Sequence, residues 1–336
     1  QPSSMSFSVR DDNRNLEYQS DSLNTLFAQR GNLLRASHYR MLLDIMRFYR
    51  KSPRLLDGGS DDLTLGQYLR DHGYSRAFID RFLIPLGSAI WSADPDQFES
   101  IPAQYFVRFC KNHGMLSLVH RPQWRVIRGG SARYVEKLTA PYRERIRLET
   151  PVSAIRRHAT GVTVTSRRHG EETFDHVILA THSDQALALL ADPTPSEQAI
   201  LGKMHYQPND VVLHTDRNLL PRRTRAWASW NYHVPREAKA AVTMTYNMNR
   251  LQSLETEGVY CVTLNSGERI QKQSVLERFD YHHPVYTTAS VAAQQRHDEI
   301  SGVRRTHYCG AYWGYGFHED GVNSALAVCK YFGKAL

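Results

Sequence analysis

The sequence has 336 residues, 41% apolar and 23% charged, a composition that suits a soluble globular protein of one large or two ordinary domains. No run of about 18 apolar residues occurs, so no transmembrane helix is expected. The formal charge is +8, and the excess is arginine, since only eight of the 42 basic residues are lysine.

The arginines come in dispersed pairs, Arg156-Arg157, Arg167-Arg168, Arg222-Arg223 and Arg304-Arg305. Such a chain can meet nucleic acid or make peripheral contact with an anionic membrane. No nucleic-acid recognition motif is present, and a solvated basic surface accounts for most of the charge. Cys110, Cys261, Cys309 and Cys329 form no CxxC pair, which argues against a disulfide framework or structural zinc and for a reducing, cytoplasmic setting. Sixteen histidines occur without HxxxH or HExxH spacing, so no metal site is expected. The opening QPSSMSFSVRDDN lacks the basic and apolar regions of a signal peptide and reads as strand and turn inside a domain.

In chain order, residues 5–20 alternate around a DDNRN turn and predict a β-hairpin. From Leu23 to about His120 apolar residues recur at three- and four-residue spacing, which predicts a helical module. Within it Thr64 is a good N-cap, with Gln67 in the capping-box position, and Pro102 opens another helix. A short strand at Trp124–Ile127 then meets Gly129-Gly130, with Ser131 as N-cap of a helix over 132–140. Strand signals follow at RLET, VSAIRR, VTVTSR and HVILAT, the last reading as a buried parallel strand, and a helix opens at Asp184. Residues 205–303 alternate between turn signals and predict an antiparallel sheet with one short helix. The interleaving of α/β and antiparallel segments predicts two domains, each built from discontinuous segments.

The last stretch, Arg304–Leu336, predicts a strand over Arg305–Cys309, a glycine- and aromatic-rich loop over Gly310–Phe317, and a helix beginning near Asp320. A strand that runs through glycines into a helix N-terminus is how α/β proteins hold anionic or electron-rich ligands, because N–H groups there are unpaired and partly positive. Glu319 and Asp320 suit a first helical turn, and Gly321 lets the chain approach a ligand.

Three stretches together resemble the FAD-dependent amine oxidase-like flavoproteins, which include monoamine oxidases and phytoene desaturase-like enzymes. They are WRVIRGGSARYVEKL (124–138), TPVSAIRR through FDHVILATHSDQALALL (150–190) and YCGAYWGYGFHEDGVNSALAV (308–328). RPQWR followed by GGS, and GYGFHEDG, resemble a bacterial subgroup of predicted NAD/FAD-binding proteins over nearly the whole chain. That family begins with a strand, GxGxxG and a helix, and no GxGxxG occurs here. The resemblance implies that MSFSVR corresponds to a point past that unit, so the chain is expected to be N-terminally truncated.

The implied fold is α/β, or α+β in two domains: an incomplete, Rossmann-like FAD-binding domain of residues 1–20, 121–200 and 304–336, and a substrate domain of 21–120 and 201–303. By resemblance, Val152 offers its backbone to the adenine, Gly310 passes close to the ribityl chain and pyrophosphate, and Ala311, Trp313 and Gly314 join it as cofactor-binding residues. Ala311 and Tyr312 stand where members often carry an acid. Glu319, Asp320, Gly321 and Val322 match the segment that sets a helix N-terminus against the flavin's pyrimidine end. His318 and Gln123 match substrate-facing positions, and Trp313, Tyr315, Phe317 and Trp124 are expected to complete an apolar pocket. The lysine that many members place near flavin N5 has no counterpart. The implied activity is hydride transfer from an amine or lipid-like substrate to FAD; the alternative is a non-catalytic, degenerate flavoprotein fragment that acts as a binding module.

Overall fold

The computed structural model describes residues 1–58, 62–92, 95–117, 122–236 and 243–335. The expected end of the helical module at His120 and the start of the AVTMTYN strand at Ala241 lie outside them. In chain order the strands are β1 (Phe7–Asp11), β2 (Leu16–Gln19), β3 (Val152–Arg157), β4 (Val162–Ser166), β5 (Gly170–Phe174), β6 (Val177–Leu179), β7 (His205–His214), β8 (Trp230–Val234), β9 (Thr243–Asn247), β10 (Cys261–Leu264), β11 (Val275–Val285) and β12 (Thr306–Tyr308). Contacts divide the chain into two compact units: Gln1–Thr139 with Gln207–His283, and Ala140–Tyr206 with Pro284–Leu336.

The first unit combines the helical module with a seven-stranded sheet in the order β11-β7-β10-β9-β8-β1-β2. The expected hairpin forms, with β1 and β2 antiparallel. Residues 1–20, expected beside the FAD-binding segments, instead lie in this sheet, where β1 runs parallel to β8 from Phe7↔Trp230 to Asp11↔Val234. β1 lies between β2 and β8 while β2 forms the sheet edge, and polar residues of the hairpin are buried along with the apolar ones. Ser8 and Glu17 are fully or nearly fully buried. Burial without partners would be costly. Ser8 Oγ therefore donates to Asn231 Oδ1 at 2.8 Å, and the Glu17 carboxylate accepts from the Arg222 and Arg223 N–H groups and the Arg223 guanidinium at 2.9–3.2 Å.

The helices close over an aromatic core in which Phe48 packs on Phe78 at 5.6 Å and on Phe106 at 6.3 Å. A Cβ at Gly87 would lie 1.8 Å from the Phe98 ring, so a side chain there would break the packing. Thr64 and Gln67 form the expected capping box at the start of the helix Leu65–Asp71. Thr64→Ala is expected to lower stability by about 1 kcal/mol, read as a shift in the urea midpoint without a change in slope.

Two local expectations fail. Trp124–Ile127 makes no strand, only an isolated bridge between Arg125 and Pro2, and RLET forms a turn in which Glu149 sits at φ 51°. The left-handed residue reverses the chain before a partner can pair, so Gly170–Phe174 supplies the third meander strand instead.

The second unit holds the meander β3-β4-β5 and the parallel pair β12-β6. Ile155, Val162, Leu179, Ile200, Leu201, Tyr308 and Tyr312 belong to its core. Beside them Arg157, its side chain 0% exposed, binds Glu197 at 2.6 Å and Asp192 at 2.8 Å. The Tyr308 hydroxyl also donates to Glu197 at 2.6 Å, which ties β12 to this buried ion network. All four cysteines are free. No helix among the described residues is long and apolar enough to cross a membrane.

Candidate functional site

The strands β6 and β12 are parallel and in register from Thr306↔Val177 to Tyr308↔Leu179, so both carboxyl ends open on one edge of the second unit. Crevices at such ends are where open α/β sheets bind ligands. Beyond β12 the chain passes Gly310, makes a single 3-10 turn (Ala311–Trp313), and enters the helix His318–Tyr331 two residues earlier than expected.

A few hydrogen bonds hold this strand-loop-helix as one piece. The Gly310 N–H donates to Ser324 Oγ at 2.8 Å, and Ser324 donates on to the Gly321 carbonyl at 2.8 Å. The strand end is thereby pinned to the first turns of the helix. Buried Gln294 donates from Nε2 to the Tyr312 and Gly314 carbonyls at 2.8 and 2.7 Å, fixing the loop from beneath. The Asp320 carboxylate accepts the Phe317 N–H at 2.9 Å and occupies the space a Gly314 Cβ would need, 2.3 Å from its Oδ1. Gly316 has φ +90°, and a Cβ there would lie 2.7 Å from the Tyr286 hydroxyl. Backbone conformation and space both require glycine at this position.

Gly321 is different. A Cβ there would meet nothing nearer than Ala311 atoms at 4.0 Å, so there is room beside the chain at this point of the first helical turns. First-turn N–H groups have no partner within a helix and carry partial positive charge. Room at such a turn fits the pyrimidine end of a flavin, where negative charge gathers on reduction. The residues present therefore suit the ring end of FAD. No GxGxxG occurs in the 336 residues.

The structure brings Gly310, Ala311, Trp313, Gly314, His318, Glu319, Asp320, Gly321 and Val322 together on this segment. His318, Glu319 and Val322 are exposed, whereas Asp320 is half-buried by its capping bond. Trp313 packs against the core of the unit, edge-on to His297 at 4.6 Å, and Tyr312 is buried in that core. Val152 opens β3 and is exposed. Gln123 belongs to the first unit, where its amide donates to the Ser3 and Trp124 carbonyls at 3.1 and 3.0 Å. In that unit Gly129 and Gly130 line a cavity of about 760 Å³ with Arg128, Met248 and Glu255.

Thr181 and His182, which follow β6, were not singled out from sequence. His182 stacks on Tyr206 at 4.3 Å, and the Tyr206 hydroxyl accepts the Ser183 N–H at 3.0 Å. The end of the HVILAT strand was the signal that could have found them. Behind the edge, burial and then His176 and His297 hold His307 below the ordinary imidazole value, so it is neutral near pH 7. Burial, reinforced by Cys329, pushes the Cys309 thiol up and makes it a poor nucleophile.

The family model described as flavin containing amine oxidoreductase matches residues 34–331. No curated protein matches the chain. Among solved structures it is similar to a fatty acid isomerase from P. acnes that produces CLA, with TM-score 0.67, 13% identity, and 99% of this chain and 81% of that one covered. It is similar to wild-type putrescine oxidase bound to putrescine, with TM-score 0.64, 11% identity and 99% and 82% covered. Cyclohexylamine oxidase from Brevibacterium oxydans IH-35A gives TM-score 0.62, 13% identity and 99% and 83% covered. At these identities the structures speak to the fold alone. With 298 of its residues inside the family match (34–331), the chain belongs to the flavin-containing amine oxidoreductases and is an FAD-dependent oxidoreductase.

Proposed function

We propose that the protein oxidises an amine or a lipid-like molecule by removing a hydride from a substrate C–H bond, with the helix His318–Tyr331 as the ring-end wall of the site. FAD, when bound, supplies the two-electron acceptor. The observation that carries the reading is the room beside the first helical turns at Gly321, in a segment held in place by Gly310, Ser324 and Asp320. In this reading the positive end of the helix favours the reduced, anionic state, and Glu319, Gly321 and Val322 lie against the cofactor. Val152 offers backbone groups to the adenine. His318, exposed at the first helical position, faces substrate.

Both substrate classes remain in the reading. The family name favours amines, while the half-buried Tyr315 and Phe317 of the loop 310–317 suit an apolar chain. Anaerobic mixing of the yellow holoprotein with amines on one side, and fatty acids or isoprenoids on the other, separates them. The class that bleaches the flavin band is the substrate class. Holoprotein that no member of either class reduces would favour a binding module instead.

Gly321→Ala tests the site separately from turnover, because stability and binding should move in opposite directions. Alanine fits the space and favours the helix, so the apoprotein is expected to gain about 0.5–1 kcal/mol. The same methyl would occupy the proposed approach, so FAD affinity is expected to fall by about tenfold. Unchanged affinity in fluorescence titration would remove Gly321 from the site.

A further inference from the structure

We propose that the outer face of the helix Ala36–Lys51, with the turn Arg30–Leu34 before it, docks on an anionic lipid bilayer. The inner face is already engaged, since Met41, Ile45 and Phe48 are buried in the first unit. The outer face nonetheless carries a second apolar stripe. Tyr39, Leu43 and Met46 follow one another at four- and three-residue spacing and are 44%, 62% and 55% exposed. At about 100° per residue these positions lie within one narrow sector of the helix. Leu33 and Leu34, 47% and 91% exposed, extend the apolar surface past the helix start.

The charge around the stripe has one sign. Residues 30–54 contain seven lysines and arginines and one acid, Asp44. Asp44 is buried and shared by Arg40 at 3.3 Å and Arg47 at 3.7 Å, so it offsets one of those charges. Arg50 continues the stripe by one turn, and Lys51 and Arg54 follow it. Arginine and lysine stems can lie along apolar surface while their heads reach phosphate groups. Large apolar side chains on a segment, residues 30–54, that carries no exposed acid match the boundary between headgroups and acyl chains of an anionic leaflet. The inference goes beyond the flavin chemistry and does not rest on it.

The test is flotation of the full-length holoprotein with phosphatidylglycerol-rich or pure phosphatidylcholine vesicles, with flavin content and circular dichroism recorded for every variant. The expected result is binding to the anionic vesicles that weakens with added salt, with little binding to the neutral ones. The double variant Leu43→Glu, Met46→Glu should bind about tenfold more weakly while keeping its flavin and its spectrum. Arg167→Glu with Arg168→Glu, a charge change in the second unit, should bind as wild type. The proposal is overturned if wild type ignores anionic vesicles, if the Leu43/Met46 variant floats like wild type, or if the Arg167/Arg168 variant loses binding equally. It is also overturned if the Leu43/Met46 variant alters only self-association in sedimentation, since the face would then be a protein interface.

Discussion

Glu197→Ala is expected to destabilise the second unit by about 3–5 kcal/mol, because it leaves the buried Arg157 guanidinium without its principal counter-charge. Glu197 accepts from Nη1 and Nη2 of Arg157, at 2.6 and 3.0 Å, along with the Thr194 N–H at 2.7 Å and the Tyr308 hydroxyl at 2.6 Å. Burial alone would raise its carboxyl. The hydrogen bonds from Arg157, Thr194 and Tyr308, with the guanidinium charge, outweigh burial and bring it down to about 2 from an ordinary 4.5. A depressed carboxyl contributes stability that is fully present above its unfolded value and is lost as pH falls through the folded one. That window runs from about 4.5 down to about 2. Urea unfolding should therefore show wild type losing stability across this range, while Glu197→Gln, already weaker at neutral pH, shows a flatter profile. A cost below about 1 kcal/mol for Glu197→Ala would mean that Asp192 alone suffices for Arg157. Because Tyr308 is the last residue of β12, the variant is also expected to loosen the strand that leads into the ring-end loop.

The second large effect is expected from Gly314→Val. Its Cβ would lie 2.3 Å from the Asp320 carboxylate oxygen and 2.8 Å from the Asp320 Cβ, so Asp320 must leave. The Phe317 N–H then loses its acceptor, and the start of the helix His318–Tyr331 is freed from the loop. FAD affinity should fall by at least about a hundredfold, or roughly 2.8 kcal/mol, if the ring end depends on that helix start. Asp320→Asn is the informative companion. It keeps an oxygen for the Phe317 N–H and nearly the same volume, so it should retain most of the affinity. Fluorescence titration of the apoprotein with FAD reads both. Wild-type affinity in Gly314→Val would separate the loop from cofactor binding altogether.

Much of the molecule follows from local pattern. Apolar residues at three- and four-residue spacing between Leu23 and Asn112 form helices, Thr64 with Gln67 makes its capping box, and VSAIRR and VTVTS pair as strands. At the C-terminus, short range also suffices. A strand, glycines and a helix start are enough to place Gly310–Val322 as one element, because each signal acts within a few residues of the next.

What local pattern could not decide are contacts between residues far apart in sequence. The hairpin at 5–20 was legible as a hairpin, but its pairing with β8, more than 200 residues away, depended on a parallel register that no short window contains. RLET and the Trp124 segment carry strand-like residues yet form no strands, since a strand exists only where a partner edge is free to pair. The same reasoning applies to the glycines of the ring-end loop. Their spacing announced a close approach, but only side chains brought in by the fold show which approach is open. Tyr312, Asp320 and Tyr286 fill the space at Gly310, Gly314 and Gly316, and Gly321 alone of these four leaves room. Sequence determined that a helix begins behind a glycine loop at His318–Gly321. Tertiary packing decided where along it a ligand can approach, because empty space is a property of neighbours from elsewhere in the chain.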